Sequence, residues 1–384
     1  MSFIVASPYR CMTDDHARVL ASLGLLRAYM VGTRRGTAGI PGELTYLNPL
    51  FGLCIEGSKK VFSTYQIEWI RSLLHPVFAR WVAADTRPGD HMLASYGYVN
   101  HAYKKAKSGG GKIFVDACNS HPVHLWDLII EEHRRWNVGD RPFPKRWNQQ
   151  ARVAVELGDY FVCPSEFVRR SFREKGFTDE QLLYLPYPVD LSVFTARREV
   201  TIPATPLRVV CTGSVSLRKG FPYLLEAIRI IKKERDVVLV LTDFRDESMK
   251  TILPKFSDVP IEWVPPMGHA GLSEHLKKAH VFAILSLEEG MVRTAIEAMA
   301  CGVPVVLTPN TGTNDLVEEG VNGEVVPIRD AAAAAKAIIS CYERQLRDGP
   351  PAVNDLHDSV SFATFASRFT AHLQRLGFYT PPAV

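Results

Sequence analysis

Short apolar runs alternate with stretches of helical periodicity along the whole chain. This is the pattern of strands buried on both faces and separated by amphipathic helices. In the first half it predicts strands at 3–6, 91–95, 112–116 and 160–163, the last followed by Pro164-Ser165 and a helix over 166–175. From Leu182 the text LLYLPYPVDLSVF reads as a strand entering a Pro-rich crossing, and VTIPATP at 200–206 reads as a linker. The rhythm then restarts, with strands at 208–212, 237–241 and 261–264, the apolar runs VFAILS and PVVLT, and helices over 221–234, 273–279 and 292–300. A last amphipathic stretch, 362–376, follows a polar segment. Strands alternating with helices imply parallel sheets wound in the Rossmann manner, whose ligands bind outside the C-terminal strand ends. The reading is α/β: a first Rossmann-like domain over 1–200, a second over 201–358, and a C-terminal helical segment, 359–384, packing back on the first. Two such domains facing each other leave a cleft between them.

Composition narrows this little. At 384 residues and 46% hydrophobic content the chain can fill two cores. The net charge of +4 is concentrated in residues 1–194, where 24 Lys+Arg meet 19 Asp+Glu. That excess is too weak to argue for nucleic acid. The cluster Lys104, Lys105 and Lys107 could meet anionic lipid or glycan headgroups, with solvated surface charge as the plainer reading. Seven cysteines (11, 54, 118, 163, 211, 301 and 341) form no CxxC pair and read as buried free thiols of a reducing compartment. No basic stretch precedes the first apolar residues, and no uncharged apolar run is long enough to cross a bilayer. A cytoplasmic protein is expected, soluble or peripheral at the inner membrane face.

Candidate chemistry lies in two stretches of the second half. In EEGMVRTAIEAMACGVPVV (288–306) Glu289 and Glu297 are separated by seven residues, the first in a loop and the second two turns into a helix. Both could face whatever lies over that helix's N-terminus, where exposed N–H groups favour an anion. An anion flanked by two hydroxyl-binding carboxylates suits a nucleotide sugar. The loop GSVSLRKG (213–220) ends in Arg218-Lys219-Gly220, a flexible turn with cations that could approach a diphosphate. It lacks the Walker ending and is not a GxGxxG fingerprint.

Taken together, Gly213, Lys219-Gly220, Glu226-Ala227, SLEEGMVRTAIEAMACGVPVV and TGTNDLVEEGVNGEVV resemble the retaining glycosyltransferases of family 4 (glycosyl transferases group 1), which have the GT-B fold. The resemblance extends upstream to DYFVCPSEFVRRSFREKGF and YLPYPVDLSVF, while residues 1 to about 110 match poorly, as a domain holding the acceptor would. It implies transfer of a hexosyl or related sugar from a nucleoside-diphosphate sugar to a hydroxyl acceptor, either a small molecule, a glycan or a lipid-linked glycan, as in polysaccharide biosynthesis. It also implies a metal-independent reaction with no cofactor beyond the donor. Glu297 would bind the ribose hydroxyls and Glu289 the transferred sugar. Lys219 would neutralise the diphosphate, and the loop residues Gly213, Ser214 and Arg218 would lie beside it. Gly290 and the backbone N–H groups of Met291, Val292, Arg293 and Thr294 would hold donor oxygens. His121 in DACNSHP is the best match for a first-domain histidine near the reacting sugar, with a turn-capping role as the alternative and His101 and His124 as rivals.

The chain departs from the family in two places. Val292 replaces a usual glycine of E-G-F-G, which predicts a narrowed sugar pocket if its side chain faces the donor. Ser214 stands where many members carry an arginine, and Arg218 could supply that charge. Arg293 could pair with Glu289 or Glu297, or face solvent. A non-catalytic scaffold of the same fold and a nucleotide-sugar epimerase are the competing readings. A metal-dependent transferase would want a D-x-D pair, and DFRDE spaces its aspartates three apart.

Overall fold

The computed structural model describes residues 2–9, 12–33, 37–48, 51–52, 64–139, 145–197, 199, 203–353 and 355–382. Cys11, Cys54 and the 200/201 domain boundary lie outside them. The first domain is a seven-stranded parallel sheet in the order β3-β2-β1-β4-β5-β6-β7, the second a six-stranded parallel sheet in the order β10-β9-β8-β11-β12-β13. In the first sheet β1 is Ser2–Ser7, β2 Leu26–Val31, β3 Thr45–Leu47, β4 Asp90–Ser95, β5 Ile113–Asp116, β6 Tyr160–Cys163 and β7 Leu182–Tyr184. In the second, β8 is Leu207–Cys211, β9 Val237–Thr242, β10 Ile261–Val264, β11 Val281–Ile284, β12 Val305–Leu307 and β13 Gly323–Val325. The period of two along a strand divides the first core between the sheet faces: Ile4, Met92 and Val115 pack on one, Phe3, Leu93 and Phe114 on the other. Each sheet reverses its strand order once, between β1 and β4 and between β8 and β11, and ligands in such sheets bind at those points.

The C-terminal helix Phe362–Arg375 buries Phe365, Phe369 and Leu373 in the core of the first domain, although the second domain precedes it in the chain. Phe378 beyond it stacks edge-on against Phe114 at 5.2 Å. Each phenyl so buried is worth about 1.5–3 kcal/mol, enough to hold the return crossing in place. That crossing is tied further where Val189 N–H donates to Val360 O at 2.9 Å. Helix His269–Leu276 starts earlier than the periodicity predicts, at a glycine in extended geometry. Of the described cysteines, Cys163, Cys211, Cys301 and Cys341 are buried free thiols and Cys118 is half-buried at the domain interface. No described helix is long and apolar enough to cross a membrane.

Candidate functional site

The reversal between β8 and β11 brings the two chemically distinctive stretches together. Past β8 the chain turns through Gly213 at φ +98° and re-enters a helix, Phe221–Ile231, through Gly220 at φ +67°. Both angles favour glycine. A Cβ on Gly220 would lie 1.8 Å from the Leu285 carbonyl oxygen, so this loop rests directly on the end of β11. The Lys219 side chain folds back over Gly213, its Nζ 3.7 Å from where a Cβ would stand. The loop after β11 is stitched alongside, Leu287 N–H donating to Arg218 O at 2.9 Å.

Lys219 and Arg218 converge on one carboxylate: Glu289 Oε1 is 2.8 Å from Lys219 Nζ and 3.1 Å from Arg218 Nη2. Burial pushes the Glu289 carboxyl up, but Arg218 and Lys219 more than offset it and hold it below the usual range. Burial works to lower the Arg218 pKa, and Glu289 and Glu288 together raise it. Both cations that the sequence assigned to an anion therefore meet carboxylates in the ligand-free protein. Glu297, on helix Arg293–Ala300, is apart from this group. It lines an interdomain cleft of about 850 Å³ with Arg293, His269, Asp190 and, from the first domain, Asp14 and Arg18. Its carboxylate is buried and Oε2 has no hydrogen-bond partner. Burial raises its pKa against the pull of His269 and Arg293. Arg293 is exposed on the cleft and forms no salt bridge among the described residues.

Two sequence expectations change. Val292 is 4% exposed and packs in the core of the second domain, so its isopropyl group does not face the donor side and gives no narrowing of a sugar pocket. The expected effect of Val292→Gly is accordingly a loss of about 2–3 kcal/mol of stability, as for a buried large-to-small change, read as a lower urea midpoint. The amide row Met291–Thr294 is not wholly free, because Val292 N–H already donates to Thr311 O at 3.1 Å and Thr313 Oγ1 at 2.9 Å. His121 caps helix Pro122–Arg135, its Nδ1 accepting from Val123 N–H at 3.2 Å, with its ring edge-on to Phe172. Burial lowers its pKa to about 4, so it is neutral near pH 7. Through Nδ1 it caps its own helix. His101 is exposed, and His124 lies 3.7 Å from Glu174. Ser214, Met291 and Thr294 are half-buried around the site.

Asn310 and Glu288, which sequence reasoning did not single out, and an interdomain contact at Gly290 close the site. Asn310 O accepts from Glu289 N–H at 3.0 Å while its side-chain amide donates to Leu287 O at 2.8 Å, fixing the glutamate loop. A Cβ on Gly290 would lie 2.0 Å from Cys118 O, so the second domain touches the first here with no room for a side chain. Glu288 is fully buried in the same seam. None of these carries a local signal, since each matters only through a segment remote in sequence. Among the described residues no group of three or more His, Cys, Asp and Glu side chains could hold a metal ion.

Two parallel α/β domains with their strand-order reversals facing a shared cleft are the GT-B architecture. Across 98% of this chain and 100% of the other it superposes, with a TM-score of 0.65 at 14% identity, on Anabaena Alr3699/HepE in complex with UDP and glucose. Residues 206–344, within the second domain, match the family model of glycosyl transferases group 1. The chain is 26% identical over 235 residues to the putative colanic acid biosynthesis glycosyltransferase WcaL of Escherichia coli K12, covering 58% of this chain and 57% of the relative. It is 28% identical over 229 residues to the D-inositol 3-phosphate glycosyltransferase of Geodermatophilus obscurus, covering 54% and 51%. The matched region spans about half the length of these curated relatives.

Proposed function

We propose that this protein is a retaining glycosyltransferase of family 4 that moves a sugar, a hexose or a close relative, from a nucleoside-diphosphate sugar to a hydroxyl acceptor. The acceptor is a glycan, a lipid-linked glycan or a small molecule, and the setting is cytoplasmic or peripheral at the inner membrane face. The observation that carries this reading is the pairing of two sites across the β8–β11 reversal. A cationic loop holds Lys219 and Arg218 on one side, and a buried carboxylate with an unpartnered oxygen, Glu297, faces the cleft on the other. Ribose hydroxyls would complete Glu297. The diphosphate would compete with Glu289 for Lys219 and Arg218, whose charge counters the negative charge that grows as the phosphate leaves. Glu289, released from part of its ion pairing, would then position the sugar and stabilise oxocarbenium character at its anomeric carbon. In a front-face substitution the acceptor oxygen bonds to the anomeric carbon as the bond to phosphate breaks, and the acceptor proton passes to the leaving phosphate.

The core placement of Val292 removes one of the two departures that favoured a non-catalytic scaffold. Thermal shift against UDP-, GDP- and ADP-sugars tests the reading, because a ligand that binds only the folded state raises Tm. No shift with any of them would overturn it. With cations provided by side chains, transfer is expected to continue in EDTA; activity abolished by EDTA and restored by Mn²⁺ would contradict metal independence.

A further inference from the structure

Glu288 stands beside the family glutamate but faces the other domain. Its carboxylate is wholly buried and accepts from Ser120 N–H at 2.8 Å, from Asn119 Nδ2 at 3.3 Å and from Arg218 Nη1 at 3.0 Å. The first two donors belong to the loop after β5 in the first domain, and the third belongs to the cationic loop of the second. The Arg218 guanidinium thus spans Glu288 through one terminal nitrogen and Glu289 through the other. The contact of Gly290 with Cys118 O lies in the same seam. Opening the domains would strip Glu288 of both first-domain donors and expose it to water. Arg218 would keep a carboxylate partner but lose the rigid wall behind it.

We propose that Glu288 is a positioning residue, an interdomain clasp that sets Arg218 against the donor-side carboxylate only while the two domains are closed. This rests on the transferase reading for its consequence in turnover, but the clasp itself does not. A buried charged acceptor shared by two domains makes closure and the orientation of Arg218 one event, because neither set of bonds is complete without the other. A glutamine at this position could still accept from Ser120 N–H, but its amide would turn a donor or an uncharged oxygen toward Arg218.

Glu288→Gln is expected to lower kcat 10-fold or more while the affinity for the nucleotide sugar selected by thermal shift stays within about threefold. Arg218→Gln should lower kcat at least as much and also weaken donor binding, because Arg218 meets the diphosphate in the proposed complex. In kcat the double variant should be no worse than the more damaged single, since the two residues act as a unit. Asn119→Ala removes a bond from the opposite domain and should reproduce part of the kcat loss; it also serves if Glu288→Gln fails to fold. In the ligand-free protein, hydrogen exchange across residues 117–125 should quicken in Glu288→Gln and Asn119→Ala. Unchanged exchange would overturn the clasp. Faster exchange with unchanged kcat, or additive losses in the double variant, would overturn the positioning role. If wild type takes no nucleotide sugar, the transferase reading fails and exchange still decides the clasp.

Discussion

Lys219→Ala is expected to reduce kcat by about 10²–10³-fold, the range for removing one preorganised donor aimed at developing negative charge, with a much smaller change in KM. Lys219 reaches Glu289 at 2.8 Å in the ligand-free protein, so the ground state already satisfies it. Its interaction with the donor gains most when the diphosphate acquires charge on departure. The variant should remain folded. The side chain is not a core element, and Glu289 keeps Arg218 at 3.1 Å as a partner. Steady-state kinetics with the preferred donor checks this, and a rise in KM at constant kcat would reassign Lys219 to ground-state binding.

Glu297→Gln is expected to weaken donor binding by about 1.5–3 kcal/mol for each charge-assisted hydrogen bond lost, measured by calorimetry with the same donor, while Tm does not fall. The two halves of that expectation share one cause. A buried carboxylate with an unpartnered oxygen is costly to the empty protein, and that oxygen is what ribose hydroxyls would satisfy. The pH dependence follows from the raised pKa. The folded protein holds this proton more tightly than the unfolded chain, so Glu297 favours folding at low pH and that contribution is lost as pH rises through its folded-state pKa. Donor binding needs the ionised form and runs the other way, strengthening over the same interval. Glu297→Gln should abolish that acid-side dependence. Unchanged affinity, or an unchanged pH profile, would remove the ribose role from Glu297.

Much of the architecture was legible because it is local. Strands at β1, β4, β5, β6, β8 to β12 and the helices that follow them carry their own periodicity, and the loop glycines at 213 and 220 mark backbone angles that few other residues adopt. The spacing of Glu289 and Glu297 likewise marked the candidate site, since both lie on one short segment whose helix the sequence itself dictates.

What the tertiary structure decided are the partners. A helix wheel or motif cannot say that Val292 turns inward, because residues one apart on an entering helix diverge by how the preceding loop is held, here by Asn310, Thr311 and Thr313. Nor can it say that Arg218 and Lys219 both find Glu289, or that His121 uses its ring nitrogen to cap its own helix. Glu288 is the strongest case. Beside Glu289 in the sequence it reads as a second charge on a loop, and only the approach of Ser120 and Asn119, remote in the chain, buries it and makes it a link between domains. Hydrophobic periodicity is set by neighbours along the chain and so is written in sequence. The pairing of buried charges is set by distance in space, which only the folded chain supplies.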